Sequence, residues 1–137
     1  MSCIFCRILQ GEIPSARVYE DAHAVAFLDI NPLAPGHTLV VTRNHHSRVW
    51  EVPEAELAGL MAAVKRVSRA IVSATHAEGL NLLANNGPVA GQVVPHVHFH
   101  LIPRRNGDGI LPEWKPREYQ PGEMDAVLKK ISDACAE

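Results

Sequence analysis

The sequence predicts an α+β fold in which a mostly antiparallel sheet packs against one long central helix, with a second helix at the C-terminus. Short β-branched segments separated by turn residues predict the strands, and one long stretch with apolar residues at helical spacing predicts the central helix. No repeat, low-complexity tract or linker interrupts the chain, whose 137 residues are the length of one domain. We therefore expect a single domain over residues 1–137.

The N-terminal elements are short, and turn residues separate them. A helix over 5–9 is expected to end at Gly11, and two strands are expected to meet at a tight turn formed by Asp21 and Ala22. Two prolines and a glycine then predict a loop over 31–36. The strands predicted in this part span 17–20, 23–29 and 38–42.

The central helix is predicted over 53–76 because apolar residues recur there at helical spacing. Pro53 suits the first turn of this helix, and Gly79 lies where a C-terminal cap is expected. The apolar residues of the pattern are Leu57, Leu60, Met61, Val64, Val67 and Ile71. Two further strands and the last helix are expected over 80–85, 96–102 and 124–134.

Charge and composition restrict the class of protein. A formal net charge of -2 argues against broad binding to nucleic acid, although backbone N–H groups and a few side chains can still hold one phosphate. The start of the chain has no apolar run behind a basic residue, as a signal peptide would, and no stretch approaches the length of a membrane span. We therefore expect a cytoplasmic protein without a membrane partner, in which the three cysteines are reduced thiols.

Three histidines alternate with apolar residues at 96–101. Because residues i and i+2 of a strand lie on the same side, His96, His98 and His100 are predicted to share one exposed face while the residues between them enter the core. A lone histidine is more often structural, but packing does not explain three on one face. The pattern therefore predicts a site.

This histidine face has two functional interpretations. At about 3.3 Å per residue, His96 and His100 are roughly 13 Å apart, too far to bind one ion together, although adjacent members could do so. Alternatively, His98 is a nucleophile, since neutral imidazole attacks phosphorus and the phosphoramidate it forms is readily hydrolysed. The second interpretation uses all three histidines and is preferred. Glycine-containing turns over 85–87 and 90–92, just before the strand, can bring backbone N–H groups close to a phosphate.

These residues resemble the histidine triad family. The segment His-Val-His-Phe-His-Leu-Ile at 96–102 is similar to its motif, and blocks at 3–8, 11–15, 27–30 and 35–41 are similar to its Hint-like branch. The motif-bearing core covers about residues 3–103, followed by a tail and helix over 104–137. The resemblance implies an α+β fold, a homodimer whose strands join into one sheet, and hydrolysis or transfer of nucleoside monophosphates without a catalytic cofactor.

The resemblance also implies roles for individual residues. His98 corresponds to the nucleophile, His100 to a histidine that contacts the phosphate and the leaving group, His96 to a support for the nucleophile, and His37 to the histidine that completes the hydrogen-bond network. Asp29 corresponds to the carboxylate that binds the ribose hydroxyls, although it could equally be a turn residue before Asn31 and Pro32. The implied phosphate loop is formed by Asn85 and the backbone of Gly91, Gln92 and Val93. The implied base pocket is formed by Ile4, Phe5, Ile8, Phe27, Leu28 and Ile30.

The sequence departs from the family pattern at two positions. Many Hint-like members have Ser where this chain has Val93, and valine has no hydroxyl to donate a proton to a leaving group. Pro95 has no backbone N–H to give to a strand ladder, so we expect the histidine strand to begin directly after it.

A cysteine pair predicts a structural zinc site. The two-residue gap between Cys3 and Cys6 lets both thiolates bind one tetrahedral ion, although they could instead be small core-facing thiols. The resemblance implies that a downstream histidine and the first histidine of the triad complete the site. Those residues are His45, with His46 as the adjacent alternative, and His96.

Three functions are compatible with the resemblance. The first is a purine nucleoside phosphoramidase, similar to an adenosine 5′-monophosphoramidase, that acts through a nucleotidyl-His98 intermediate. The second is a dinucleoside polyphosphate hydrolase, and the third is a nucleotide-binding regulatory or scaffold protein whose hydrolysis is incidental. The intact triad favours turnover.

Overall fold

The structure, a computed structural model, describes residues 3–137 and contains a five-stranded sheet in the order β1-β2-β3-β5-β4. Every pair of neighbouring strands is antiparallel, which confirms the predicted α+β class. The helices are α1 (Ile4–Leu9), α2 (Glu54–Thr75) and α3 (Glu123–Cys135), and short 3-10 turns occupy Val49–Glu51 and Pro88–Ala90. The strands are β1 (Arg17–Glu20), β2 (Ala24–Leu28), β3 (Thr38–Thr42), β4 (Gly79–Leu83) and β5 (His98–Arg104).

Helices cover both faces of the central strands. On one face, Leu60, Val64 and Val67 of α2 pack against the sheet through Ala26 and Val40, because these helix positions recur every three to four residues. On the other face, α1 packs against alternate residues of the same strands. This second cluster contains Phe5, Ile8, Val25, Phe27, Leu39 and Val41. Consecutive residues of β2 and β3 are therefore buried, although their side chains point to opposite sides.

The end of α2 differs from the prediction. His76 adopts the left-handed conformation that terminates the helix, with φ of 55°, whereas Gly79 is the first residue of β4. The expected glycine cap is therefore wrong, and a histidine takes its place, a residue type that tolerates this region better than most. Met61, which was included in the apolar pattern, has 38% of its surface exposed, whereas Ala63 lies in the core.

The histidine strand begins two residues later than predicted. After Pro95, the N–H of His96 donates to the carbonyl of Val94 at 2.8 Å, and the N–H of Val97 donates to the carbonyl of His46 at 2.8 Å, so neither joins the ladder of β5. The predicted exposed face is also wrong, because His96 is fully buried and His98 is only 6% exposed. Helix α1 covers both rings through Phe5. The spacing of apolar residues in the sequence does not predict that this helix packs on the histidine face.

Helix α3 has no buried residue in the structure. Apolar side chains such as Val127, Leu128 and Ile131 recur along it at helical spacing and remain exposed. Within residues 3–137, no helix combines the length and the hydropathy that crossing a bilayer requires.

Candidate active site and the adjoining metal-ligand cluster

A cavity of about 550 Å³ opens beside β5, between α1, the loop that follows β2 and the loop that precedes β5. Its volume suits a small organic ligand. It brings together most of the residues that the sequence predicted for the site. Those lining it are Ile4, Phe5, Ile8, Phe27, Leu28, Asp29, Ile30, His37, Asn85, Gly91, Val93, His98 and His100.

Two predicted residues, His96 and Gln92, do not line the cavity. Several lining residues had no sequence signal for a site, because they reach it through strand pairing. Leu83 of β4, for example, lies opposite His100 of β5, a register that the sequence does not specify. The other lining residues that were not predicted are Ile13, Pro14, Ser15, Asn31, Leu33, Leu39, Val94 and Ile102.

His98 presents a nitrogen lone pair to this cavity. Its Nδ1 lies 2.6 Å from the carbonyl oxygen of His96, and since a carbonyl can only accept, Nδ1 carries the proton. In the neutral ring, Nε2 is then unprotonated. Burial lowers the pKa of His98 from its ordinary value, more than the hydrogen bond to His96 and the charge of Asp29 oppose it. The buried environment therefore favours the neutral, nucleophilic form.

A second chain of hydrogen bonds determines the proton positions of His37 and His100. The backbone N–H of Leu33 donates to His37 Nδ1 at 3.0 Å, so the proton of the neutral ring is on Nε2. That Nε2 donates to His100 Nδ1 at 2.9 Å, which leaves the proton of His100 on its own Nε2. Burial lowers the pKa of both residues, that of His100 to about 4. Neutral His100 is thus a hydrogen-bond donor beside His98.

Asp29 is both a turn residue and a site residue. One carboxylate oxygen accepts the N–H of Asn31 at 2.8 Å, as the turn interpretation expected. The other lies 3.6 Å from His37 Nε2 at the cavity. The turn interpretation is therefore confirmed, and the contact of the same side chain with ribose stays a prediction.

The loop before β5 has the conformation that the glycines predicted. Gly91 has φ of +98°, and a Cβ atom there would lie 3.2 Å from Asn85 Nδ2, so both the backbone angle and the space favour glycine. Asn85 Nδ2 donates to the carbonyl of Gly91 at 3.3 Å. Val93 and Val94 line the cavity, and their backbone N–H groups meet no acceptor within residues 3–137. They are available to an anion.

The side chain of Gln92 is directed away from this cavity. It is 6% exposed and donates to the carbonyl of Ser47 at 2.7 Å, which is compatible with the prediction that only the backbone of Gln92 belongs to the phosphate loop. The cavity lining contains one carboxylate, Asp29, and no lysine or arginine among the described residues. Any phosphate held there would be bound by neutral donors.

The predicted zinc ligands form a separate cluster on the other side of Phe5. One ligand atom from each of Cys3, Cys6, His45 and His96 lies within 4.8 Å of the other three. His96 Nε2 donates to the carbonyl of Thr42 at 2.7 Å, which leaves Nδ1 free to bind a metal.

The distances within this cluster suit a tetrahedral ion. The Sγ atoms of Cys3 and Cys6 lie 3.5 and 3.6 Å from His96 Nδ1, and Cys6 Sγ lies 3.4 Å from His45 Nδ1. Bonds of about 2.3 Å to sulfur and 2.0 Å to nitrogen would place such atoms about 3.5 Å apart. Burial raises the pKa of Cys6, as does the neighbouring Cys3. His46, the alternative ligand, instead lies 3.2 Å from the carboxylate of Glu56.

A second cluster with metal-binding atoms, Asp29, His37 and His100, does not fit an ion equally well. A metal bound by His37 Nε2 would move the proton of the ring to Nδ1. Nδ1 could then no longer accept the hydrogen bond from the N–H of Leu33. The 2.9 Å separation between the two histidine nitrogens is that of a hydrogen bond.

Most of the chain matches a known family of domains. Residues 10–107 match the family model described as the HIT domain. The chain therefore belongs to the histidine triad (HIT) family.

Named relatives cover nearly the whole chain. It is 41% identical to an adenosine 5′-monophosphoramidase of Schizosaccharomyces pombe, over 96% of this chain and 97% of that protein. A HIT-family crystal structure from Bacillus subtilis has 40% identity and a TM-score of 0.90, covering 97% of this chain and 96% of the other. A Zn-bound histidine triad protein from Mycobacterium smegmatis has 38% identity and a TM-score of 0.76, with 98% of both chains covered.

Proposed function

We propose that this protein hydrolyses nucleoside 5′-phosphate derivatives at the α-phosphate, releasing an amine, through a covalent nucleotidyl-His98 intermediate. The observation that carries the proposal is the lone pair on His98 Nε2, which the carbonyl of His96 orients at a cavity with unpaired backbone donors. Similarity to an adenosine 5′-monophosphoramidase supports the same reaction class.

The first chemical step is attack of His98 Nε2 on the α-phosphorus. A bond forms between this nitrogen and phosphorus, the phosphorus–nitrogen bond to the leaving group breaks, and the departing nitrogen keeps the electron pair and takes up a proton. The N–H groups of Val93 and Val94, together with Nε2–H of His100, stabilise the charge on the phosphoryl oxygens. An oxygen of water then bonds to phosphorus while the phosphorus–His98 bond breaks. The nitrogen keeps the electron pair of that bond, which restores the neutral imidazole, and a proton of the water passes to the solvent. Positioned neutral donors are sufficient for this scheme, so no catalytic cofactor is proposed.

The nucleoside is proposed to lie in the apolar half of the cavity. Phe5, Ile8 and Phe27 offer a buried surface to a purine, and Asp29 is placed to accept from the ribose hydroxyls. A purine nucleoside monophosphate is therefore the proposed substrate portion.

The charge of the cavity favours an amine over a polyphosphate leaving group. A dinucleoside polyphosphate would bring several negative charges, which proteins usually bind with lysine, arginine or a metal ion. The described lining has no lysine or arginine, and its one carboxylate would repel such a group. A nucleotide-binding regulatory protein with incidental hydrolysis would use the same cavity. Measurements of turnover distinguish that function from the proposed hydrolase.

We further propose one structural zinc per chain, held by Cys3, Cys6, His45 and His96. The fit of the sulfur–nitrogen distances to a tetrahedron and the free Nδ1 of His96 support it. Such an ion would hold α1, and with it Phe5, against the start of β5. It would supply no chemistry at phosphorus.

A homodimer in the cytoplasm is the proposed state of the protein. The edge strand β4 exposes Leu82 and Leu83 to 49% and 39%, and α3 leaves its apolar residues uncovered. A second copy can cover these surfaces. Light scattering at micromolar concentration should give twice the mass of one 15.0 kDa chain, and the monomer mass would contradict the proposal.

The central experiment measures turnover of a panel of adenosine and guanosine phosphoramidates, dinucleoside polyphosphates and acyl adenylates. We expect the phosphoramidates to be hydrolysed most efficiently. Acid quenching during turnover should trap a protein species heavier by one nucleoside monophosphate at His98. Preferential hydrolysis of polyphosphates, or tight binding without any turnover, would contradict the proposal.

A further inference from the structure

The side-chain amide of Gln92 attaches the loop over 85–92 to the segment over 46–49. This amide is buried, and the proposed mechanism does not use it. Gln92 Oε1 accepts two hydrogen bonds, from the N–H of Gly87 at 2.8 Å and from Arg48 Nη1 at 3.0 Å. Its Nε2 donates to the carbonyl of Ser47 at 2.7 Å. With Gln92 only 6% exposed, this amide is a buried and well-satisfied polar group.

Gln92 also closes the loop internally, through both its backbone and its side chain. The backbone N–H of Gln92 donates to the carbonyl of Gly87 at 3.1 Å, while its side chain accepts from the N–H of Gly87. Both ends of the turn are thereby held to one residue. Val93, which lines the cavity and whose N–H is unpaired, follows directly in the chain. The position of that N–H thus depends on the orientation of Gln92.

The segment that receives the amide is itself firmly anchored. The N–H of Val49 donates to Asn86 Oδ1 at 2.7 Å, a second link between the segment and the loop. The N–H of Arg48 donates to the carboxylate of Glu51 at 2.8 Å. The backbone carbonyl of His46 accepts the N–H of Val97, just before β5. The segment is therefore hydrogen-bonded both to the loop and to the residue that precedes β5, the strand that carries His98.

We propose that Gln92 and Arg48 are positioning residues that hold the phosphate-binding N–H groups at the distance from His98 which the phosphoryl group requires. This inference rests on the proposed function. Neither side chain lines the cavity, so both act through the loop backbone and not by contact with the nucleotide. Errors of about 1 Å in such placement can cost a hundredfold in rate, so a small movement of the loop is sufficient.

The test compares AMP with adenosine, because only AMP uses the phosphate donors. Gln92→Met keeps the length and neutrality of the side chain and removes its hydrogen bonds. Calorimetric titration should show that the wild type prefers AMP to adenosine, that Gln92→Met reduces this preference about tenfold, and that adenosine affinity stays within about twofold. The kcat for an adenosine phosphoramidate should fall with the preference.

Arg48→Met and the double variant test whether the two side chains act as a unit. The double variant should lose no more AMP preference than the larger single loss, because the first substitution already releases the loop. Arg105→Met is the matched control, since Arg105 donates to the carbonyl of His76 at 2.9 Å outside the cavity. It should lower the melting temperature and leave the AMP preference unchanged.

The outcomes separate this inference from the proposed function. A wild-type protein without preference for AMP would overturn the proposed function. A wild-type preference that persists in Gln92→Met and Arg48→Met, or equal losses for AMP and adenosine, would overturn only the positioning role. If Gln92→Met does not fold, the ratio measured for Arg48→Met, whose side chain is only partly buried, decides.

Discussion

The metal-ligand cluster and the cavity each contain one histidine of a short segment, His96 and His98, and these two rings differ in which nitrogen is free. His96 donates from Nε2 to the carbonyl of Thr42, which leaves Nδ1 facing two thiols. His98 donates from Nδ1 to the carbonyl of His96, which leaves Nε2 facing the cavity. The ring of Phe5 stands edge-on to both, at 5.8 and 4.9 Å between centroids, and separates them.

The difference shows that backbone carbonyls determine what each histidine can do. Both rings are buried and both have pKa values lowered by burial, to about 4 for His96, so neither burial nor residue type distinguishes them. A metal ligand and a nucleophile both need a neutral ring with one lone pair. Only the direction of that lone pair differs, toward sulfur in one case and toward a ligand cavity in the other.

The largest expected effect follows from removing the lone pair in the cavity. His98→Ala should lower kcat/KM by about a thousandfold or more, which corresponds to at least about 4 kcal/mol, because no other group can form the intermediate. The far-ultraviolet circular dichroism should stay unchanged. If the variant kept a tenth of wild-type kcat/KM, His98 would not be the nucleophile and the comparison would fail.

A smaller effect is expected from His37, which determines the proton position of His100 without an assigned contact to phosphorus. His37→Phe removes the donor to His100 and should lower kcat/KM roughly a hundredfold, mostly through kcat. His37→Gln should recover part of the loss, because its amide can still donate to His100 Nδ1. Equal activity of the two variants would show that proton placement through His37 is unimportant.

The pH dependence tests whether the cavity histidines stay neutral. Burial lowers the pKa of His100 from 6.5 to about 4 and also lowers that of His37. The neutral form of His100 is therefore retained below 6.5 and lost as the pH falls through about 4, and His37 also stays neutral to a lower pH than an ordinary histidine. We expect kcat/KM to be flat near pH 7 and to decrease at least about twofold by pH 4, where about half of His100 is protonated, with a midpoint that belongs to the cluster. An acidic limb centred above 6.5, or no decrease at pH 4, would contradict this assignment.

The metal-ligand cluster should affect stability more than activity. Cys6→Ser should lose the zinc that metal analysis finds in untagged wild-type protein and lower the melting temperature by about 10 °C, with turnover reduced less than tenfold. Cys135→Ser is the matched control, because Cys135 is exposed and outside the cluster. A wild-type protein that is isolated without metal, and whose melting temperature ignores both zinc and chelator, would rule out the site.

The smallest effect is expected at Val93. Its side chain is 91% exposed at the cavity, and its N–H, the group assigned to the phosphate, is retained in any substitution except proline. Val93→Ser should therefore change kcat by about threefold or less for activated leaving groups and should help most with poorly acidic amines. A gain above a hundredfold would mean that a missing hydroxyl limits the reaction.

The pattern of residues along the chain predicted the elements and the histidine strand, whereas the roles proposed for most site residues came from the resemblance to the family. Alternation at 96–101 predicted a strand with core-facing Val97 and Leu101, and helical spacing predicted α2 to within a residue at each end. The spacing of Cys3 and Cys6 indicated half a metal site, and the resemblance to the family supplied the other ligands. Local periodicity and spacing are sufficient for such features because they depend on the chain geometry of one element.

Only the tertiary structure decided which side of each histidine is free. The exposed face predicted for the triad is buried because α1 packs over it, and a helix of six residues has too little periodicity to predict its partner. The site roles of Leu83 and Val94, and the inward turn of Gln92, depend on strand register and on loop contacts between distant segments. Such contacts join residues that are far apart in the chain. The sequence supplies the possible donors and acceptors, and only the folded structure specifies which of them pair.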